Sequence, residues 1–564
     1  MASEGERIVQ KKLLVKTATL LGAVSMLALL GCSSNTFMAP GDPPPPAEAA
    51  PHGEHAKADG ADGGRYFRAD EKVTDGSVEV EGAAIDYRAI AGTMIVHPRG
   101  WDDAATTAEA KDSKDAPAEA SMSYFAYIKN DASPRTRPIT FVYNGGPGSA
   151  TVWLHMGAFG PRRILTPGDT HMPAAPYRVV NNEYSLLDAT DLVFVDAPGT
   201  GFGRLRGKDK EKAFWGTDAD VHAFSEFIKQ FLTKHGRWNS PKYLFGESYG
   251  TPRSAALINV LETQDDADFN GVILLSQIHN YDLSTGRAEI NPGIDLPYVL
   301  GLPTYAATAW YHHRVPGNPP ELEPFLHEVE NFALGDYLLA LGEGAHLDPA
   351  KREEIAQKLH NYTGLSVEYI KKADLRIDGG EFEKNLQDDT DTTTGRLDTR
   401  FSGPTLDPLS KTAEYDPQSA AISSAYVSAF NDYVRKVLHY GEDKEYNPSA
   451  SLFRFWDFHH QPPGAREPLQ QSMNVMPDLA NAMKFNPQLK VMLNGGYYDA
   501  ATPYFEGIYE MKHLPMPQKL QSNIEYHYYQ SGHMVYAKEE SLKALHDNVA
   551  AFIHRTDNVR GEGE

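Results

Sequence analysis

Six short apolar segments, each ending at a glycine or a turn, constrain the fold of this chain more than any other feature. They are the runs ITFVYNGG, DLVFVDAPG, KYLFGESYG, GVILLSQ, LKVMLNGG and IEYHYYQSGH. Helical patterns alternate with them at 217–234, 251–263 and 538–554. Apolar strands that alternate with helices are typical of a mostly parallel sheet with helices on both faces. The sequence therefore predicts an α/β fold, opened by antiparallel strands within residues 77–129, where apolar residues alternate.

A serine stands at the corner between one of these strands and a helical pattern. In YLFGESYGTPRSAALI, Gly246 and Gly250 flank Ser248. Glycine lets the backbone turn sharply at places where a Cβ would collide. A serine on such a strand–turn–helix corner is the nucleophile elbow of α/β-hydrolases, which exposes the hydroxyl at the edge of the sheet. The pattern predicts that Ser248 is a nucleophile.

Two later strand ends supply the partners that such a serine needs. Asp499 follows LKVMLNGG, and His533 follows IEYHYYQSG. α/β-Hydrolases carry their triad in the chain order serine, acid, histidine, with the last two on loops after late strands. We expect His533 to be the base and Asp499 to orient it. The glycine-rich NGGPGS turn predicts an oxyanion hole made by the backbone amides of Gly146 and Tyr249.

Four motifs in this order resemble those of the serine carboxypeptidases of the S10 peptidase family. They are NGGPGS at 144–149, VFVDAPGTGFG at 193–203, GESYG at 246–250 and SGHM at 531–534. The resemblance spans residues 80–555 and is weakest in the middle of that range. It implies an α/β-hydrolase with the same triad and the same two oxyanion amides. The residues that it implies in substrate binding are Asn144, Gly145, Glu247 and Met534.

The sequence departs from the family pattern at two places. Family members usually carry a glutamate where Ala158 stands, and it pairs with the acid beside the nucleophile to bind the C-terminal carboxylate of the substrate. The family's cysteine after NGGPG is replaced by Ser149. Without the second acid, we expect Asn144, a protonated Glu247 and an arginine to recognise a carboxylate. The arginines nearest to the motifs are Arg162, Arg163 and Arg253.

The first 31 residues have the pattern of an export signal. The basic stretch KKLLVK at 11–16 precedes an apolar run that is too short and too early for a membrane span followed by a stop. LLGC at 29–32 resembles the lipobox of bacterial lipoproteins, which implies cleavage before a lipid-bearing Cys32. Ser33 resembles an outer-membrane sorting residue, so we expect the protein to be anchored in the outer membrane and to face the periplasm. An ordinary cleaved signal and an uncleaved anchor are the alternatives.

The charge of the chain argues against a nucleic-acid partner, and shifts in composition indicate the boundaries of its segments. The formal net charge is −23, from 76 acidic and 53 basic residues, so the chain is a poor partner for a nucleic acid. The GTGFG run at 199–203 has Arg204 where a dinucleotide fingerprint needs its third glycine, and we expect no cofactor and no metal. The segments that we expect are a signal peptide at 1–31, a disordered Pro- and Ala-rich tether at 32–64, a hydrolase core at 65–286 and 476–555, a largely helical inserted cap at 287–475 and a polar tail at 556–564.

These features predict an exported, lipid-anchored serine hydrolase that releases C-terminal residues from peptides through an acyl-enzyme. An esterase or acyltransferase on the same fold is one alternative, because a fold does not determine a substrate. A non-catalytic binding lipoprotein is another. The sequence does not reveal the preferred C-terminal residue or the oligomeric state.

Overall fold

The computed structural model describes residues 63–101, 116–284, 288–289, 291–468 and 472–559. The predicted signal peptide, Cys32 and nearly all of the predicted tether lie outside these residues, as do residues 560–564 of the predicted tail. Within the described ranges, no helix is both long enough and apolar enough to cross a membrane.

The centre of the structure is a sheet of ten strands among the described residues. The strands of the chain are β1 (Glu71–Val80), β2 (Ala83–Val96), β3 (Glu119–Lys129), β4 (Ile139–Tyr143), β5 (Arg162–Ile164), β6 (Val179–Asn181), β7 (Asp191–Val195), β8 (Arg204–Arg206), β9 (Lys242–Glu247), β10 (Gly271–Leu275), β11 (Thr392–Thr394), β12 (Ser402–Pro404), β13 (Lys490–Gly496) and β14 (Ile524–Tyr529). The main sheet has the order β1-β2-β3-β7-β4-β9-β10-β13-β14, with β8 paired to β3. Two small hairpins, β5–β6 and β11–β12, lie outside it.

The strand directions agree with the sequence patterns. β1, β2 and β3 pair antiparallel, and β3 joins β7 antiparallel. From β7 to β14 every neighbouring pair is parallel. The predictions of antiparallel opening strands and of a mostly parallel centre are therefore confirmed. All six apolar runs form strands of this sheet.

Helices cover both faces of the sheet. The α-helices are α1 (Val152–Leu154), α2 (Lys210–Phe214), α3 (Thr217–Lys234), α4 (Gly250–Thr263), α5 (Leu296–Tyr311), α6 (Leu322–Phe332), α7 (Leu338–Glu343), α8 (Pro349–Thr363), α9 (Val367–Lys372), α10 (Gly379–Asn385), α11 (Pro417–Lys436), α12 (Met476–Phe485), α13 (Tyr504–Lys512) and α14 (Glu539–Thr556). Alternate strand residues enter two separate cores: Val142 and Phe245 pack with α11 and α14, whereas Phe141 and Leu244 pack with α3, α4 and α12. This alternation follows from the two-residue period of a strand.

A third core lies within the predicted cap segment. Buried apolar residues of α5 to α10 pack together and against Tyr498, Tyr504 and Phe505, which follow β13. α11 belongs to the same predicted segment, but its buried face packs in the core that lies on the sheet. The boundaries at 287 and 475 stay predictions.

Candidate active site

Ser248 occupies a tight turn between β9 and α4. Its backbone is left-handed, with φ of +58°, and its amide donates a 2.9 Å hydrogen bond to the carbonyl of Leu275 at the end of β10. A Cβ on Gly246 would overlap the backbone of Gly250, and one on Gly250 would lie 3.0 Å from the carbonyl of Tyr143. The corner therefore requires a glycine at 246 and leaves little room for a side chain at 250, and the half-buried serine stands at the carboxyl edge of the sheet.

Asp499 and His533 meet at the same edge. The His533 ring donates from Nδ1 to Oδ2 of Asp499 over 2.7 Å, and both residues are buried. Asp499 also accepts from the amides of Ala501 and Thr502 and from the Thr502 hydroxyl, so its carboxylate is fixed. Because Nδ1 is taken up by Asp499, Nε2 is the nitrogen left to accept a proton.

The environment of His533 favours its protonated form. Burial alone would lower the pKa of His533, but the charge and hydrogen bond of Asp499 outweigh burial and raise it above the ordinary value. Within the described contacts, the Ser248 hydroxyl makes no hydrogen bond to the ring. Such catalytic hydrogen bonds often form only when substrate is bound. The roles of the three predicted triad residues stay predictions.

The NGGPGS turn lies directly against the serine corner. A Cβ on Gly145 would overlap the amide nitrogen of Tyr249, so the two turns touch. Gly146 has φ of +106°, a conformation that side chains disfavour. Among the described contacts, the amides of Gly146 and Tyr249 donate to no acceptor. Two unpaired amides on adjoining turns have the chemistry that an oxyanion hole requires.

A buried carboxyl group stands beside the serine. Glu247 accepts at Oε2 from Nδ2 of Asn144 over 3.0 Å and from the hydroxyl of Tyr536 over 2.9 Å. Oε1 has no hydrogen-bond partner among the described residues. Burial raises the pKa of Glu247 to about 7, although the charge of His533 and the Tyr536 hydrogen bond pull the other way. Near neutral pH this group is therefore protonated in part of the molecules and can donate a hydrogen bond.

Tyr536 was not predicted from the sequence. Its ring packs so closely on Gly157 that a Cβ on this glycine would lie 2.7 Å from the ring atoms. The residue after Gly157 is the buried Ala158. Tyr536 thus packs against the residue directly before Ala158, which replaces the expected second acid, and its phenol donates to Glu247. The tyrosine stands three positions after His533 in the SGHMVY run, but a sequence gives no distance between it and Glu247.

Two of the three arginines predicted to recognise a carboxylate form ion pairs with acidic residues of the chain. Arg253 is fully buried, pairs with Asp220 and donates to the carbonyl of Asn144, so it positions the asparagine backbone. Arg163 pairs with Glu539 over 2.7 Å. Arg162 is half-buried on β5.

The other predicted binding residue, Met534, lies largely in the core. Its side chain is 8% exposed and packs in the core that contains α11 and α14. Its predicted contact with substrate stays a prediction. Within the described residues, no cluster of three or more histidines, cysteines, aspartates and glutamates could hold a metal ion.

The strand order and the serine at the strand–helix corner define an α/β-hydrolase. Residues 114–287 match the serine carboxypeptidase family. Serine carboxypeptidase-like 5 from Arabidopsis thaliana is 24% identical over 236 residues, which are 41% of this chain and 46% of that protein. Serine carboxypeptidase-like 1 from the same plant is 26% identical over 197 residues, or 34% of this chain and 38% of the relative. These matches support the S10 serine carboxypeptidase family, and the chain spans less than half the length of these two curated relatives.

Two solved structures that are similar to this chain share little sequence with it. Proline iminopeptidase from Mycobacterium smegmatis has a TM-score of 0.31 and 13% identity, covering 86% of this chain and 99% of its own. A peroxisomal alpha-beta-hydrolase from Saccharomyces cerevisiae has a TM-score of 0.33 and 10% identity, covering 82% and 88%.

Proposed function

We propose that this protein is a serine carboxypeptidase that releases C-terminal residues from peptides through an acyl-enzyme. The observation that carries the proposal is the buried carboxyl group of Glu247, which lies directly before Ser248 and is held by Asn144 and Tyr536. A partly protonated acid beside a nucleophile is suited to bind the free carboxylate that only a C-terminal residue carries.

The acylation step follows from the arrangement of the three predicted triad residues. The Ser248 hydroxyl attacks the last peptide carbonyl, and its proton moves to Nε2 of His533. The carbonyl oxygen becomes negative, and the amides of Gly146 and Tyr249 stabilise it. The His533 imidazolium, stabilised by Asp499, then gives its proton to the leaving amine, which departs as the C-terminal amino acid.

Deacylation repeats these proton transfers with water as the nucleophile. His533 removes a proton from water, the hydroxide attacks the acyl carbonyl, and the returning proton frees the Ser248 hydroxyl. Because the same residue is base and then acid in each half-reaction, the buried hydrogen bonds that fix Asp499 and His533 serve both steps.

The test is release of the C-terminal amino acid from a blocked dipeptide, compared between wild type and three alanine variants. We expect Ser248→Ala and His533→Ala to lose activity by a factor on the order of a million, as triad losses do. His527→Ala is the matched control, because His527 is half-buried on β14 beside Glu525. A Ser248→Ala variant that works near the wild-type rate would refute the proposal, and equal losses from both histidine variants would refute the assignment of the base.

We propose that the protein is exported by a bacterium and anchored to a membrane through a lipid on Cys32. The support is the LLGC run after a basic and apolar leader. Mass spectrometry of the mature chain tests it: we expect an acylated Cys32 at the N-terminus and release of Cys32→Ser from membranes. An unmodified Cys32 within the mature chain would contradict the proposal.

A further inference from the structure

One segment of the predicted cap binds both catalytic loops through its backbone. The carbonyl of Arg396 accepts from the amide of Ala500, the residue after Asp499, over 3.0 Å. The next carbonyl, that of Leu397, accepts from the amide of His533 over 2.6 Å. Arg396 is thus held beside the loops of the acid and the base.

The backbone of this segment is fixed from its other side by a carboxylate. Oδ1 of Asp416 accepts from the amides of Arg396 and Leu397, over 2.8 and 3.1 Å. Oδ2 accepts from the amide and the hydroxyl of Ser419 at the start of α11. Four donors therefore occupy the Asp416 carboxylate, and it makes no ion pair with the Arg396 guanidinium.

The side chain of Arg396 is half-buried and makes no hydrogen bond, ion pair or ring contact among the described residues. Burial raises the pKa of Glu383, and the positive charge of Arg396 opposes that rise, so one buried carboxyl group of the chain lies within reach of its charge. The other arginines around the catalytic loops are paired: Arg400 with Asp398 and Arg253 with Asp220. A guanidinium normally binds a carboxylate through parallel hydrogen bonds, so an unpaired one near a catalytic site is available for a substrate anion.

The backbone of Arg396 lies beside the loops that follow β13 and β14, on the β10 side of β9. The charge of Arg396 acts on Tyr281, in the loop after β10: burial raises the pKa of Tyr281, and Arg396 opposes that rise. Asn144, which binds Glu247, follows β4. Because β4 and β10 flank β9 on opposite sides, the loops after them flank Ser248 on opposite sides. A peptide whose terminal carboxylate binds beside Asn144 and Glu247, and whose chain continues toward the β10 side, would pass Ser248 and approach Arg396.

We infer that Arg396 binds an acidic side chain on the penultimate residue of the substrate, the residue whose carbonyl Ser248 attacks. The inference rests on the proposed carboxypeptidase function. It names the substrate class as peptides with aspartate or glutamate directly before the C-terminal residue. The substrate carboxylate would supply the partner that the guanidinium lacks in the folded chain, and it would add binding energy next to the bond that breaks.

The experiment measures kcat/KM for three blocked dipeptides with free carboxyl ends: Glu-Leu, Gln-Leu and Gln-Glu. It compares the wild type with Arg396→Gln, Arg396→Lys and Arg88→Gln. Arg88 is exposed on β2, far along the sheet from the catalytic loops, so its variant controls for the loss of one positive charge. We expect the wild type to cleave Glu-Leu at least about tenfold faster than Gln-Leu. Arg396→Gln should lose that preference, Arg396→Lys should keep part of it, and Arg88→Gln should keep all of it.

Each other outcome overturns the inference in a recognisable way. Equal wild-type rates on Glu-Leu and Gln-Leu would overturn it while the carboxypeptidase proposal stands. An equal loss on all substrates in Arg396→Gln would make Arg396 a structural residue of the catalytic loops. If the wild type prefers Gln-Glu and Arg396→Gln loses that preference, Arg396 binds an acidic side chain on the C-terminal residue instead. If the wild type cleaves none of the three dipeptides, the proposed function fails and the inference fails with it.

Discussion

Tyr536 donates a 2.9 Å hydrogen bond to Oε2 of Glu247, although 289 positions separate the two residues in the chain. The hydrogen bond stabilises the ionised form of a carboxyl group whose burial favours the neutral form. The pKa of Glu247, about 7, is the balance of burial, which raises it, against the charge of His533 and the Tyr536 hydrogen bond, which lower it. This value lies within the range in which an enzyme can use the group as an acid. Carboxylate recognition by this protein should therefore depend on Tyr536.

We expect Tyr536→Phe to raise the pKa of Glu247. The variant keeps the ring that packs against Gly157 and removes only the donor that favours the carboxylate. Loss of activity on free-acid substrates at high pH should then begin at a higher pH than in wild type. The measurement is KM for a blocked dipeptide across pH, and a midpoint that stays in place or moves down would contradict the interpretation.

We expect Glu247→Gln to remove that loss at high pH. The protonated acid donates to the substrate carboxylate, and its pKa of about 7 means that the donor is lost as the pH rises through that value. Glutamine is a neutral donor of the same shape and does not titrate. A dipeptide ester without a free carboxylate is the control and should show no such loss in either protein. A Glu247→Gln variant with the wild-type profile on the free acid would rule out this role of Glu247.

We expect Gly145→Ala to reduce kcat by about 100-fold or more, the effect of losing one oxyanion donor. The new Cβ would overlap the amide of Tyr249 and push the two turns apart. Gly342→Ala in α7 is the control, because its Cβ would meet nothing within 4 Å and alanine favours a helix. The check is kcat together with thermal unfolding of both variants. Normal turnover in a folded Gly145→Ala protein would show that the turns tolerate separation.

His460 should make the stability of the fold depend on pH. Its ring nitrogens bind Asp218 and Asp478 at 2.6 and 2.8 Å. Burial alone would lower the pKa of His460, but these two hydrogen bonds raise it to about 9. A raised pKa means that the stabilisation is complete below the unfolded value of 6.5 and is lost as the pH rises through about 9. We expect Tm to fall over that window in wild type and to fall less in His460→Gln; parallel curves would contradict this.

The sequence predicted those helices and strands whose hydrophobic pattern lies within a short stretch of chain. The amphipathic spacing of 217–234 predicted α3 with the bounds that the structure has, and all six apolar runs are strands. The serine corner could be predicted from the sequence because Gly246, Ser248 and Gly250 are close in the chain. The hydrogen bond from Tyr536 to Glu247 and the position of Arg396 beside the catalytic loops could not be predicted, because each depends on contacts between distant segments. The packing of α11 on the sheet was missed for the same reason.

The ratio of kcat/KM for a blocked dipeptide to that for its C-terminal amide, measured in wild type near pH 6, tests the central claim most directly. At that pH Glu247 is mainly protonated, so it can donate to a substrate carboxylate but gains much less from an uncharged amide. We predict that the free acid is cleaved at least about tenfold faster, a difference of about 1.4 kcal/mol. Equal rates on acid and amide would contradict carboxylate recognition and would favour an esterase or acyltransferase on this fold.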